Sequence, residues 1–215
     1  MHRRRRFQLW RRCCLNLVNL KSALIIFVRN PVLGKVKTRL AATLGNKRAL
    51  EIYKLLLAHT NEISKNLSAG KYIFYEDFIN DNDIWQNDIY KKQLQTGDSL
   101  GERMKNAFAK LFQKEYEKII IIGSDCYELS TDILNEAFHS LIKADVVIGP
   151  AKDGGYYLLG MNHFVPQLFD DKKWSSNSVY TDTVNQIKAL NKNFTSLAIL
   201  SDVDEEKDID FNNLR

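Results

Sequence analysis

Apolar runs of strand length recur along the chain, separated by segments of helical spacing. "ALIIFV" (23–28) is apolar and β-branched and reads as a first strand. Residues 46–67 follow with Leu50, Tyr53, Leu57 and Ile63 broadly on one side, as in an amphipathic helix. "KYIFY" (71–75) reads as a second strand, and the polar, acidic stretch 76–92, which holds Trp85 and Tyr90, as a loop or short helix. Asp98 or Ser99 can cap a helix running to about residue 115, since both accept bonds from orphan N–H groups. "KIIIIG" (118–123) carries four successive isoleucines, the mark of a central strand buried on both faces. A capped helix over 130–144, strands over 145–150 and 154–160, a helix near 177–191 and a strand near 195–200 complete the pattern. Strands alternating with helices predict an α/β fold with a mainly parallel sheet, and no repeat or linker divides it.

The chemistry gathers at strand ends. "NPVLGKVKTRL" (30–40) follows the first strand and sets Gly34, Lys35, Lys37, Thr38 and Arg39 close together. In open α/β sheets the loops after the carboxyl ends of the strands form the ligand crevice. A glycine there lets backbone N–H groups approach an anion, and lysine and arginine supply charge. The stretch reads as a phosphate cradle or as solvated surface charge. It is not a P-loop, because the first glycine and the GK-[ST] ending are missing. Asp125 lies two residues past the isoleucine strand, where a carboxylate can hold a divalent metal or cap the next helix. "GPAKDGGYYLLG" sets Asp153 before Gly154, Gly155 and Tyr156, as a hairpin turn or a substrate-facing loop. Asp202 and Asp204 follow the last strand, in a metal site or in a solvated acidic helix start.

Composition narrows the partners. The chain has 215 residues, 45% of them hydrophobic, and a formal net charge of +5. Seven of the 31 basic residues, and none of the 26 acidic ones, lie within residues 1–22. The remainder holds 24 basic against 26 acidic residues, which argues against a nucleic-acid groove. The basic head is expected to be a disordered extension or a start placed too early, with the domain over 23–215. There is no run of about 18 apolar residues for a membrane span. Three cysteines without a CxxC pattern argue against disulfides and structural zinc, and fit a cytoplasmic setting. The four histidines fall in no metal-ligand spacing.

Six blocks, "FVRNPVLGKVKTRLAATLG", "GDSLGERM", "IIGSDCYELS", "VVIGPAKDGGYYLLG", "WSSNSVYTDT" and "LSDVDEEKDID", together resemble the DUF2064 family across about residues 23–211. That family, often labelled arsenosugar-biosynthesis glycosyltransferase, looks like a branch of the GT-A, nucleotide-diphospho-sugar transferase fold. It is also similar to phospholactate guanylyltransferases. The chain departs from it at Tyr127, where the family usually has proline, at Ser176 for threonine, and at Glu205 for threonine. The resemblance implies that Lys35, Lys37 and Arg39 meet nucleotide phosphates and that Asp125, assisted by Asp204, holds Mg²⁺ or Mn²⁺. It places Asp153, Gly154 and Gly155, with Tyr156 beside them, on the acceptor side, and Asp153 would orient or deprotonate an acceptor hydroxyl. The implied activity is transfer of a glycosyl group from a nucleotide sugar to a small acceptor. The alternatives are nucleotidyl transfer from a nucleoside triphosphate and a nucleotide-binding module without turnover.

Overall fold

A computed structural model describes residues 21–209. The expectation for the basic head therefore falls almost wholly outside the described residues. Seven strands form one sheet: β1 (Ser22–Val28), β2 (Gly70–Tyr75), β3 (Tyr90–Leu94), β4 (Lys118–Ile122), β5 (Val146–Pro150), β6 (Tyr156–Met161) and β7 (Phe194–Ser196). Their order is β3-β2-β1-β4-β6-β5-β7, and all pairs are parallel except those made by β6. The helices are α1 (Thr38–Lys65), α2 (Leu100–Phe112), α3 (Thr131–Ser140) and α4 (Val179–Ala189). None of the described helices is long and apolar enough to cross a membrane.

Alternation along the strands splits the core in two. Leu24, Ile26 and Val28 of β1 and Ile120 and Ile122 of β4 pack with Tyr53 and Leu57 of α1 and Leu134 and Ala137 of α3. Ala23, Ile25, Ile119 and Ile121 face the other way, toward Met104, Phe108 and Leu111 of α2 and Ile187 of α4. The isoleucine run is thus buried on both faces, because successive strand side chains point to opposite sides and helices cover both. A smaller cluster sits on the outer side of α1, where Leu40, Ile52 and Leu56 meet Val203 and Ile209 of the C-terminal segment. This packing returns residues 203–209 to the carboxyl edge of the sheet.

Two expectations need correction. The stretch 76–92, assigned to a loop or short helix, ends in edge strand β3, whose residues 90–94 pair beside β2. Its Tyr90 and the nearby Trp85 are both buried and stack edge to face at 5.1 Å between ring centroids. Helix α1 starts at Thr38 rather than near 46, with Gly45 at φ 78°, ψ 157° kinking it. Thr38 and Arg39 therefore stand in a helical first turn and not in an open loop.

Candidate functional site

The carboxyl ends of β1 and β4, the residues just after β2 and β3, and the start of β6 surround a cleft of about 850 Å³. Its wall includes Arg29, Lys37, Thr38, Arg39 and Tyr53 from the first strand and helix, and Gly123, Ser124 and Asp125 after β4. Asp153, Gly155 and Tyr156 come from the β5–β6 turn, Trp174 to Asn177 from the loop before α4, and Asp202 and Asp204 from the C-terminal segment. Glu76, Gln95, Asp98 and Arg103 close the far end.

The loop after β1 is held from below. The buried Asn30 side chain accepts from the N–H groups of Asp77 (3.2 Å) and Phe78 (3.3 Å) and donates to the Phe78 carbonyl (2.8 Å). The Tyr53 hydroxyl receives the Arg29 N–H (2.9 Å) and lies 3.2 Å from Ser124 Oγ, so α1 ties the ends of β1 and β4 together. Burial raises the Tyr53 pKa, against the opposing hydrogen bonds from Ser124 and the Arg29 backbone, and keeps the phenol neutral.

Lys37 caps α1 in the left-handed region, at φ 47° and ψ 51°. Its ammonium lies 3.1 Å from Asp125 Oδ2 and 2.8 Å from Asp204 Oδ1, and its side chain is only 8% exposed. Burial works against the charged amine, but the two carboxylates outweigh it and raise the Lys37 pKa. Burial likewise works against the Asp204 carboxylate, and Lys37 reverses the sign, lowering its pKa. Asp125 folds back over Gly123, where a Cβ would stand 2.7 Å from Asp125 Oδ1. The Val203 N–H donates to the Asp125 carbonyl at 2.9 Å, which aligns the C-terminal acids with the β4 loop. Between them Asp202 is mostly buried, and its Oδ1 has no hydrogen-bond partner. Burial, then the Asp125 charge, pushes its pKa up to about 8.

The predicted residues divide. Lys37, Thr38, Arg39, Asp125, Asp153, Gly155, Tyr156 and Asp204 line one cleft. Gly34 and Lys35 are exposed and lie outside its wall, because the turn at Gly34 (φ 77°) aims Lys35 away. Lys37 is directed at acids, and a phosphate would have to draw it off them. Asp153 sits in the turn joining β5 to β6, where its Oδ1 accepts the Gly155 N–H at 2.9 Å, and it also lines the cleft. Gly154 packs its backbone against Asn177, where a Cβ would stand 2.1 Å from the carbonyl oxygen, and it holds φ +90°. It braces the turn without lining the cleft.

Strand-end logic, applied further, finds residues the motifs did not. Arg29 directly follows β1, and Glu76 directly follows β2. Glu76 joins Arg29 (3.2 Å) and Arg103 of α2 (3.1 Å), so two guanidinium groups and one carboxylate stand at the far end of the cleft. Trp174 packs edge-on to Tyr156 at 6.5 Å between ring centroids.

Comparison with known proteins places this geometry. The family described as uncharacterized protein conserved in bacteria (DUF2064) matches residues 60–176, more than half of the chain. A crystal structure from Desulfovibrio desulfuricans G20, provisionally named a nucleotide-diphospho-sugar transferase, is 32% identical. It superposes with a TM-score of 0.79, over 86% of this chain and 83% of that one. The chain belongs to the DUF2064 family. Its fold is that of the nucleotide-diphospho-sugar transferases. More distant structures share the fold at low identity. The inositol-1-phosphate CTP transferase from T. maritima has 12% identity and a TM-score of 0.53, covering 91% of this chain and 94% of that one. The 4-diphosphocytidyl-2C-methyl-D-erythritol synthase of Anaerococcus prevotii has 11% identity and a TM-score of 0.56, covering 93% and 97%. No curated protein matches the sequence. The family match takes in Asp125 and Asp153, while Lys37 and Asp204 lie outside it.

A divalent cation has a chemically suitable place in this member of DUF2064. Among the described residues no three His, Cys, Asp or Glu side chains form a metal-holding group. Two carboxylates nevertheless converge on one point, which the Lys37 ammonium holds. Mg²⁺-type sites commonly use one or two carboxylates and draw their other oxygens from substrate phosphates and water. The donor set fits such an ion.

Proposed function

We propose that the protein is a transferase that binds a nucleotide in this cleft and moves a glycosyl group from a nucleotide sugar to a small acceptor. The observation that carries the reading is the gathering of cations and acids in one cleft at the carboxyl edge of the sheet. Arg29, Arg39 and Arg103 offer charge-assisted bonds to a diphosphate, and guanidinium groups suit the paired oxygens of phosphate. Asp125 and Asp204 would hold Mg²⁺ or Mn²⁺, which when bound would neutralise charge on the leaving diphosphate. Asp153, which lines the cleft with Tyr156 and Trp174, would orient an acceptor hydroxyl or accept its proton. The relative provisionally named a nucleotide-diphospho-sugar transferase supports the donor class.

Nucleotidyl transfer is the second reading, supported by the CTP transferase and the 4-diphosphocytidyl-2C-methyl-D-erythritol synthase that share the fold. There the same cations would grip a nucleoside triphosphate, and pyrophosphate would leave. One assay separates the two. Purified protein with Mn²⁺ and a small-acceptor panel is incubated with nucleotide sugars or with nucleoside triphosphates. Release of a nucleoside diphosphate from a nucleotide sugar supports glycosyl transfer, and pyrophosphate release from a triphosphate supports the alternative. Binding without product from either panel would leave only a nucleotide-binding module.

A further inference from the structure

The Lys37 ammonium is shared by Asp125 and Asp204, which reach it from loops 88 and 167 residues further along the chain. The lysine side chain is 8% exposed, whereas the two carboxylates keep 38% and 42% of their surface open to the cleft. The pair is therefore accessible from outside, but the point between its oxygens is taken. A divalent ion held by the carboxylates and an ammonium beside them would be like charges within a few ångström, so each disfavours the other. Lys37 also holds a left-handed backbone that lysine seldom adopts, at the joint between the β1 loop and α1. Two ion pairs hold the side chain in place over that joint. The same side chain lines the cleft beside Thr38 and Arg39, so an anion there offers it another partner.

We propose that Lys37 is a resident counter-ion that keeps the Asp125–Asp204 pair closed to divalent cations until an anionic ligand in the cleft takes the lysine over. Cation and anion then bind with positive coupling, each raising the affinity of the other by the same factor. The closed state follows from the ion pairs alone. The release step rests on the reading of the cleft as a nucleotide site.

The test is Mn²⁺ binding, followed by the electron paramagnetic resonance of free Mn²⁺. It compares the full chain with Lys37→Met, Lys37→Arg and the double variant Lys37→Met/Asp204→Asn, first without nucleotide. Lys37→Met should bind one Mn²⁺ about tenfold or more tighter than wild type, because the competing charge is gone and the carboxylates remain. Lys37→Arg should bind as weakly as wild type, and the double variant should lose the gained site. Equal affinities in wild type and Lys37→Met would overturn the proposal. If Lys37→Met is poorly stable, its melting temperature decides: Mn²⁺ should raise it while leaving wild type unmoved, and no rise overturns the closed state. In the second arm UDP or CTP is added, with nucleotide-only controls for chelation. Wild type should then take up Mn²⁺ beyond the control. Nucleotide bound without Mn²⁺ uptake would make Lys37 a permanent counter-ion and overturn the release. Failure of every nucleotide to bind would sink the proposed function and the release step together, while the first arm would still decide the closed state.

Discussion

Lys172 shows how a single side chain can carry a measurable signature of the wall behind the cleft. Its ammonium lies 5.3 Å from the centre of the Trp174 ring and donates to Thr183 Oγ1. Burial lowers its pKa from 10.5 to about 8, against the pull of Asp182. The folded protein therefore releases this proton near pH 8 and the unfolded chain near 10.5. Between those values the unfolded state binds more protons, so stability from this group rises with pH across that window and is flat below it. The melting temperature of wild type relative to Lys172→Met should accordingly increase between pH 7 and pH 10. A constant difference across that range would mean that Lys172 titrates normally. Other residues could not be read from the sequence for a related reason. The charge on Lys37 was legible beside Gly34, but its partners lie far along the chain, and only the packing of Val203 and Ile209 on α1 brings Asp204 to it. The burial that raises the Asp202 pKa has the same tertiary origin.

At the scale of elements, α2 is where local sequence and site meet. Ser99 Oγ accepts the Glu102 N–H while the Glu102 carboxylate accepts the Ser99 N–H, a reciprocal cap at the helix start. The helix carries Arg103 to the cleft and Phe108 into the core. Ser99→Ala should lower unfolding stability by about 0.5–2 kcal/mol, the usual worth of such a cap. Urea denaturation would show this as a lower midpoint at unchanged slope, and an unmoved midpoint would mean the cap is idle. This helix was legible because a capping residue and a helical apolar stripe coincide. Strand β3 was not, because "YKKQL" carries two lysines and no β-branched residue. Its Lys92 is nonetheless almost buried, paired with Asp83 at 2.9 Å, and the edge position tolerates the rest. The first turns of α1 lie before the stretch of helical spacing at 46–67, on the other side of the kink at Gly45.

At the scale of the molecule, the sheet gathers one residue set from loops spread across the chain. The alternation of strands and helices was legible, and with it the edge on which Arg39, Asp125 and Asp153 meet. The reversed β6 turns the stretch after β5 into a hairpin, which is why Asp153 comes to that edge on a turn. Within residues 30–40 the sequence alone did not separate Arg39, which lines the cleft, from Lys35, which does not. That difference offers the most direct test of the claim that the cleft receives nucleotide phosphates. Calorimetric titration of UDP, CDP, GDP and ADP into wild type, Arg39→Ala and Lys35→Ala is the measurement, beside a melt of each ligand-free protein. Charge-assisted contacts are worth about 1.5–3 kcal/mol, so Arg39→Ala should weaken the best-bound nucleotide roughly 10–100-fold. Lys35→Ala should bind as wild type does, and neither melt should shift. Equal nucleotide affinity in all three proteins, or binding by none, would contradict the account.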